Sequence, residues 1–311
     1  MTKLTLIRGP IRPHSSALAS VVEAGGANHL IRRKDQANPK ASGRSLGERR
    51  RVAISDSLAQ NAGTRRIQTG MVQMIDVSEI AKVSEFATLP DHVRSFLTGT
   101  QTGPSVDNQS LAFLYNFVQA VKPRYALEIG LANGSSASCH ALASQETLER
   151  FDIIDPLQKS GFRNAGLEAV KQSLGSNVGR LRFHEDYSHL VLPKLVAAQM
   201  KYDYIFIDGD HRFDATMVDV FFANALLEVG GYLIMDDRPW PMVGGVVSFM
   251  TENYRHFTGD LSHPRLSVFK KTREDDRSWF DFWRFEVPRN EALEQRIRQL
   301  QSERDPKHRQ G

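Results

Sequence analysis

A chain of 311 residues, 41% of them hydrophobic, is long enough to bury one generous α/β core with extensions, and its single cysteine, Cys139, excludes an internal disulfide framework. The longest apolar stretch, residues 218–235, is interrupted by Asp219, Asn224, Glu228 and two glycines, well short of the roughly 18 uninterrupted apolar residues of a membrane span. The net charge of +4 conceals a division: residues 1–70 carry 13 Lys and Arg against 4 Asp and Glu, whereas residues 71–311 carry 27 against 32.

The first 70 residues are rich in Arg, Ser, Gly, Ala and Asn. Their basic clusters, Ile31-Arg32-Arg33-Lys34 and Glu48-Arg49-Arg50-Arg51, have no apolar period beside them, so the segment reads as a disordered basic extension. Such clusters could touch nucleic acid or an anionic surface, although solvated charge is the commoner outcome. The apolar start at residues 4–7 is cut by Arg8, Pro10, Arg12 and Pro13 before it could be the core of a secretory signal, and a cytoplasmic protein is the expectation. Residues 71–97 are weakly helical. After a loop over 99–104, Leu111, Leu114, Tyr115, Val118 and Val121 recur at helical spacing, with Asp107 or Ser105 as the cap and Lys122-Pro123 as the stop.

From there the chain alternates. Strands are expected over 124–129, 150–154, 180–184, 202–207 and 232–235, separated and followed by helices over 135–144, 164–174, 190–199, 213–227 and 246–254. Strands alternating with helices of about ten residues make right-handed βαβ units on a parallel sheet, with ligands bound beyond the strands' C-terminal ends. A late strand over 266–270 is expected to close the sheet in an antiparallel sense. The run Trp279-Phe280-Asp281-Phe282-Trp283-Arg284-Phe285 is aromatic enough to pack on the domain or build part of a pocket, and core packing is the expectation. Residues 289–311 form a charged tail whose Leu293, Ile297 and Leu300 make a stripe too brief for a coiled coil. The chain thus divides into an extension (1–70), a catalytic-size domain (71–288) and a C-terminal tail (289–311).

The chemistry is concentrated where strands end. Residues 125–136 read as a buried strand, a glycine turn and a helix N-terminus, where free N–H groups meet an approaching anion. A dinucleotide fingerprint would need glycines at positions held by Gly130, Ala132 and Ser135, and two of the three fail, which disfavours a dehydrogenase. Asp155 ends the second strand, where an acid can accept ribose hydroxyl protons. Asp208-Gly209-Asp210-His211 ends the fourth strand and Asp236-Asp237 the fifth, so four carboxylates share one crevice. Either some have raised pKa values or a cation neutralises them. Asp236-Asp237 could also cap a loop or hold Arg238. Cys139 reads as a small buried thiol.

The pattern Glu128-x-Gly130-x-Ala132-x-Gly134 resembles the first motif of class I S-adenosylmethionine-dependent methyltransferases, with alanine at one glycine position. The residues 207–213 and 230–237 resemble a branch of that family containing small-molecule O-methyltransferases. The resemblance, over about residues 103–272, implies an α/β, Rossmann-like, doubly wound and mostly parallel seven-stranded sheet. It implies S-adenosyl-L-methionine bound by Glu128, Gly130, Ala132, Gly134, Ser135, Asp155, Asp186 and Asp208, with Glu185 an alternative to Asp186 near the adenine. It further implies methyl transfer to a hydroxyl of a small molecule, with Asp210 or His211 as base. In some relatives Mg²⁺ is held through acids matching Asp208, Asp236 and Asp237. Two rivals remain, a nucleic-acid methyltransferase using the basic extension and a catalytically idle cofactor-fold binding protein. The former lacks an Asn/Asp-Pro-Pro-aromatic signature, and against the latter the strand-end acids are intact.

Overall fold

The computed structural model describes residues 75–101, 106–287 and 289–304; the basic extension expected over residues 1–70 and the alternative cap Ser105 lie outside the described residues. The strands are β1 (Tyr125–Ile129), β2 (Arg150–Ile154), β3 (Leu181–His184), β4 (Tyr202–Ile207), β5 (Leu227–Met235), β6 (Phe257–Asp260) and β7 (Ser267–Lys271). The helices are α1 (Val77–Val83), α2 (Asp91–Thr100), α3 (Asn108–Val121), α4 (Ser135–Ala143), α5 (Ala165–Leu174), α6 (Ser188–Ala197), α7 (Phe213–Leu226), α8 (Pro241–Asn253) and α9 (Glu291–Arg304). One seven-stranded sheet has the order β3-β2-β1-β4-β5-β7-β6. β1 to β5 pair in parallel, and β7 is antiparallel to both β5 and β6.

The period of two along each strand divides the core. Ala126, Phe151, Ile153, Tyr204, Phe206 and Ile234 pack with α1 to α5, whereas Leu127, Ile129, Ile205, Ile207, Leu233 and Met235 pack with α6 to α8. Both faces of the sheet are therefore covered, as a parallel sheet requires. Asp107 caps α3 by accepting the Ser110 N–H at 2.9 Å, and Lys122 ends it in a left-handed conformation before Pro123. No helix among the described residues is long and apolar enough to cross a membrane.

Three differences from the sequence reading have physical causes. β6 was not foreseen, because Phe-Thr-Gly-Asp has no alternation of its own and becomes a strand by pairing with β7. α8 begins five residues earlier than its apolar period suggests, with Pro241 in the first turn where a missing N–H costs nothing. The aromatic run does not join the core: Trp279 is 94% exposed, Phe280 67% and Phe282 63%. Only Phe285 reaches Phe249, at 5.4 Å between ring centroids, while the Trp283 backbone bonds to Asn253. A segment without regular structure cannot turn five closely spaced aromatics to one side.

The fold also decides what Glu128 does. Two residues beyond Ala126 on β1, it faces α4 and is completely buried. Ser136 donates to Oε1 at 2.6 Å and His140 Nδ1 lies 2.8 Å from Oε2, while His140 Nε2 meets the Tyr204 hydroxyl at 3.0 Å. Each carboxylate oxygen thus has a partner, and Glu128, expected at the cofactor, ties β1 and β4 to the helix that follows the glycine loop. His140→Ala should lower stability by at least roughly 1–3 kcal/mol, because it leaves buried polar groups short of a partner. Urea denaturation with an unchanged midpoint would show the network to be dispensable.

Candidate functional site

Four strand ends build a cleft of ≈ 310 Å³, lined among others by Gly130, Ala132, Asp155, Ser188, Asp208 and Asp210, within the range of small-ligand sites. Its first wall is the glycine loop. Gly130 has φ +92°, and a Cβ there would lie 1.9 Å from the Asp208 carbonyl oxygen. Only glycine lets the exits of β1 and β4 lie this close. Ala132 carries a positive φ of +44°, a conformation in which a side chain is strained, which locates the departure from the three-glycine pattern at a position where glycine would be easier. Gly134, at φ +80°, is the residue before α4, and Ser135 opens that helix, 3% exposed.

Asp155 braces this loop. Its Oδ2 accepts the N–H groups of Leu131 at 2.9 Å and Ala132 at 3.1 Å, and its Oδ1 accepts that of Leu157 at 2.7 Å. A carboxylate has about four acceptor positions, so Asp155 retains capacity for about one further donor rather than for both hydroxyls of a ribose. Asp186 accepts the Tyr187 N–H and lies 3.8 Å from Lys194, and Glu185 pairs with Lys159. Neither acid is among the residues lining the cleft; Tyr187 and Ser188 line that wall instead.

The acidic crevice adjoins the cleft. His211 Nε2 lies between Asp208 Oδ1 at 3.2 Å and Asp237 Oδ2 at 3.3 Å. The Asp208 hydrogen bond raises the His211 pKa above 6.5, burial opposes it, and the charges of Asp208, Asp237 and Asp236 add to the rise. Asp210 is turned to Arg212, 2.9 Å from Nε and 2.8 Å from Nη2. Burial acts to raise its pKa, but the hydrogen bonds and charge of Arg212 prevail and lower it. Asp236, buried at 2% exposure, is gripped side-on by one edge of Arg265, with Nε to Oδ1 at 2.6 Å and Nη2 to Oδ2 at 2.7 Å. Burial and the charge of Asp208 push it up to about 7, against the pull of Arg265. Asp237 sits at φ +57°, 3.1 Å from Arg265, and burial raises its pKa against Arg265 and His211.

The expected Mg²⁺ ligands Asp208, Asp236 and Asp237 are therefore not arranged as an open set of oxygens. With Asp236 closed by Arg265, the atoms that converge within 4.8 Å belong to Asp208, His211 and Asp237. Two carboxylates and an imidazole do not fit the all-oxygen preference of Mg²⁺. The partner of the acid pair is also not Arg238, whose guanidinium turns to the carbonyls of Leu261 and His263.

Sequence reasoning missed two groups. Arg265 has no motif around it and arrives through sheet topology. Asp219 interrupts the apolar run of α7, which was visible as a break but not as a site. It is 1% exposed, and neither carboxylate oxygen has a hydrogen-bond partner among the described residues. A Cβ on Gly209, in the cleft wall, would lie 3.6 Å from its Oδ2. Burial pushes its pKa up to about 7, the nearby Ser188 hydroxyl draws it partly back, and Asp210 adds to the rise.

Residues 127–238 match a family model described as a methyltransferase domain. Uncharacterized protein R132 of Acanthamoeba polyphaga mimivirus is 30% identical over 113 residues, 36% of this chain and 50% of that protein, so the match spans about half the length of the curated relative. The SAH-bound methyltransferase PaMTH1 of Podospora anserina superposes with a TM-score of 0.51 at 16% identity, over 63% of this chain and 93% of that one. The O-methyltransferase TomG of Streptomyces achromogenes, in complex with SAM, gives a TM-score of 0.48 at 16% identity, over 60% and 91%. Residues 127–238 are thus similar to a methyltransferase domain, and the sheet shares the fold of the methyltransferase PaMTH1.

Gly130→Ala should destabilise the domain by roughly 1–3 kcal/mol from backbone strain alone, with more from the contact with Asp208; an unchanged thermal midpoint would contradict the close approach. The Asp219 pKa is raised from 3.8 in the folded state, so its contribution to stability is complete below pH 3.8 and is lost as pH rises to about 7. At ~1.4 kcal/mol per unit this amounts to at most ~4 kcal/mol. Asp219→Asn should flatten the stability profile across that window, and a mutant with the wild-type slope in chemical denaturation would assign the titration elsewhere.

Proposed function

We propose that this protein binds S-adenosyl-L-methionine in the cleft and methylates a hydroxyl of a small molecule, with His211 taking the hydroxyl proton. The observation that carries this reading is the meeting of the Asp155-braced glycine loop with Asp208, Asp210 and His211 at the ends of neighbouring strands. The residues fit the cofactor: Gly130 leaves the backbone bare where a ligand approaches, and Asp155 keeps an acceptor position turned to the cleft. When bound, the cofactor supplies a methyl group on a positively charged sulfur.

The chain's own residues would align the acceptor and remove its proton. Asp210 is poorly suited as base because Arg212 holds its pKa down. His211 is better placed. With its Nε2–H given to Asp208, and Asp237 Oδ2 3.3 Å away, the lone pair of neutral imidazole lies on Nδ1, and the two acids stabilise the imidazolium formed when the proton arrives. Asp208 thereby serves as the bridge between cofactor cleft and base. No step is assigned to a metal, because the donors present do not fit Mg²⁺.

Calorimetry should show saturable binding of S-adenosylhomocysteine and none of NAD(H); the reverse pattern would overturn the reading. His211→Ala should reduce methyl incorporation into hydroxyl-bearing small molecules by ~10²–10⁴-fold while leaving cofactor affinity unchanged. Because the base form exists above the raised His211 pKa, the wild-type rate should climb as pH rises through a value above 6.5. A flat profile in that range, or a fully active variant, would remove His211 from proton transfer.

A further inference from the structure

The acids of the crevice meet a cation that comes from the far end of the sheet. In the parallel strands only exits face the crevice, but β7 runs antiparallel to β5, with Ser267 opposite Met235. Its entry therefore lies beside the exit of β5, and Arg265, two residues before Ser267, lands next to Asp236 and Asp237. The backbone holds it there from both sides: the Arg265 N–H donates to His263 Nδ1 at 3.2 Å, and its carbonyl accepts the Arg238 N–H at 3.0 Å.

The guanidinium then reaches three carboxylates. It takes both oxygens of Asp236, lies 3.1 Å from Asp237 Oδ1, and contacts Asp107 Oδ2, at the cap of α3, at 3.3 Å. His211 takes Asp237 Oδ2 and Asp208 Oδ1. Of the carboxylate oxygens of Asp208, Asp236 and Asp237, only Asp208 Oδ2 has neither Arg265 nor His211 beside it among the described residues. A planar fork matched to a carboxylate is the strongest form of this pairing. A divalent ion using Asp236 would have to displace the fork and then tolerate its charge a few ångströms away.

We propose that Arg265 is the resident cation of this crevice, occupying the place among Asp208, Asp236 and Asp237 that a divalent metal would need, so that the protein works without a metal held by those three acids. The consequence for turnover rests on the methyl-transfer reading; the occupancy of the acids does not. Removing the guanidinium should expose a set of hard oxygen ligands and create a metal site that the wild type lacks.

The test is a titration of chelator-treated, full-length protein with Mn²⁺, followed by electron paramagnetic resonance and calorimetry. Wild type should show no saturable binding up to millimolar Mn²⁺. Arg265→Gln should gain a saturable site with at least ~tenfold tighter apparent binding, about 1.4 kcal/mol, and the further change Asp236→Asn should abolish it. Saturable binding by the wild type, or a folded Arg265→Gln variant that stays silent, overturns the proposal. Should Arg265→Gln fail to fold, the wild-type titration alone decides it, silence supporting the proposal and saturation overturning it. Binding of S-adenosylhomocysteine, measured on the same samples, reads the cofactor assignment separately.

Discussion

A carboxylate taken out of water must be answered by a donor or a cation, and this requirement organises the whole C-terminal edge of the sheet. The parallel strands end in acids, and the chain answers each one differently. Glu128 is met by Ser136 and His140, Asp155 by three backbone N–H groups, Asp208 by His211, and Asp236 by Arg265. Those answers fix the helix after the glycine loop, the loop itself, the His211 ring and the floor of the crevice. Asp219 stands apart, buried without a hydrogen-bond partner among the described residues, with its pKa raised accordingly.

The two halves of the site differ in the kind of partner used. In the cleft neutral backbone N–H groups do the work, and they hold Asp155 without placing a side-chain cation there. In the acidic crevice the partners are side chains, and the acids there are locked into a rigid arrangement around His211 and Arg265. An imidazole whose pKa is raised by Asp208, Asp237 and Asp236 against burial has little need to reorganise when a proton arrives. The acids thus act through the groups they hold more than through open oxygens.

Much of this was legible in the residues. Apolar alternation and its breaks located β2 and β4 at their full lengths, and the strand-exit rule put Asp155, Asp208 and Asp237 around common openings before any contact was known. The cap at Asp107 was likewise readable from a short polar residue before an apolar period. These features are local: a period of two or of 3.6, a glycine turn and a cap each involve residues close together in the chain.

What the tertiary structure decided is the set of pairings between distant segments. Arg265 meets Asp236 across 29 positions and Asp107 across 158, and neither contact leaves a mark in local sequence. Glu128 stood in a recognisable motif, yet only the placement of α4 over β1 and β4 showed that its oxygens are met by Ser136 and His140. The aromatic run looked like core by composition, but burial depends on a surface to cover, and Trp279, Phe280 and Phe282 have none among the described residues. Sequence therefore determined which acids arrive at the strand ends, because backbone periodicity is a short-range property. Which cation or donor neutralises each of them was left to sheet order and strand direction, which bring together groups that share no stretch of chain.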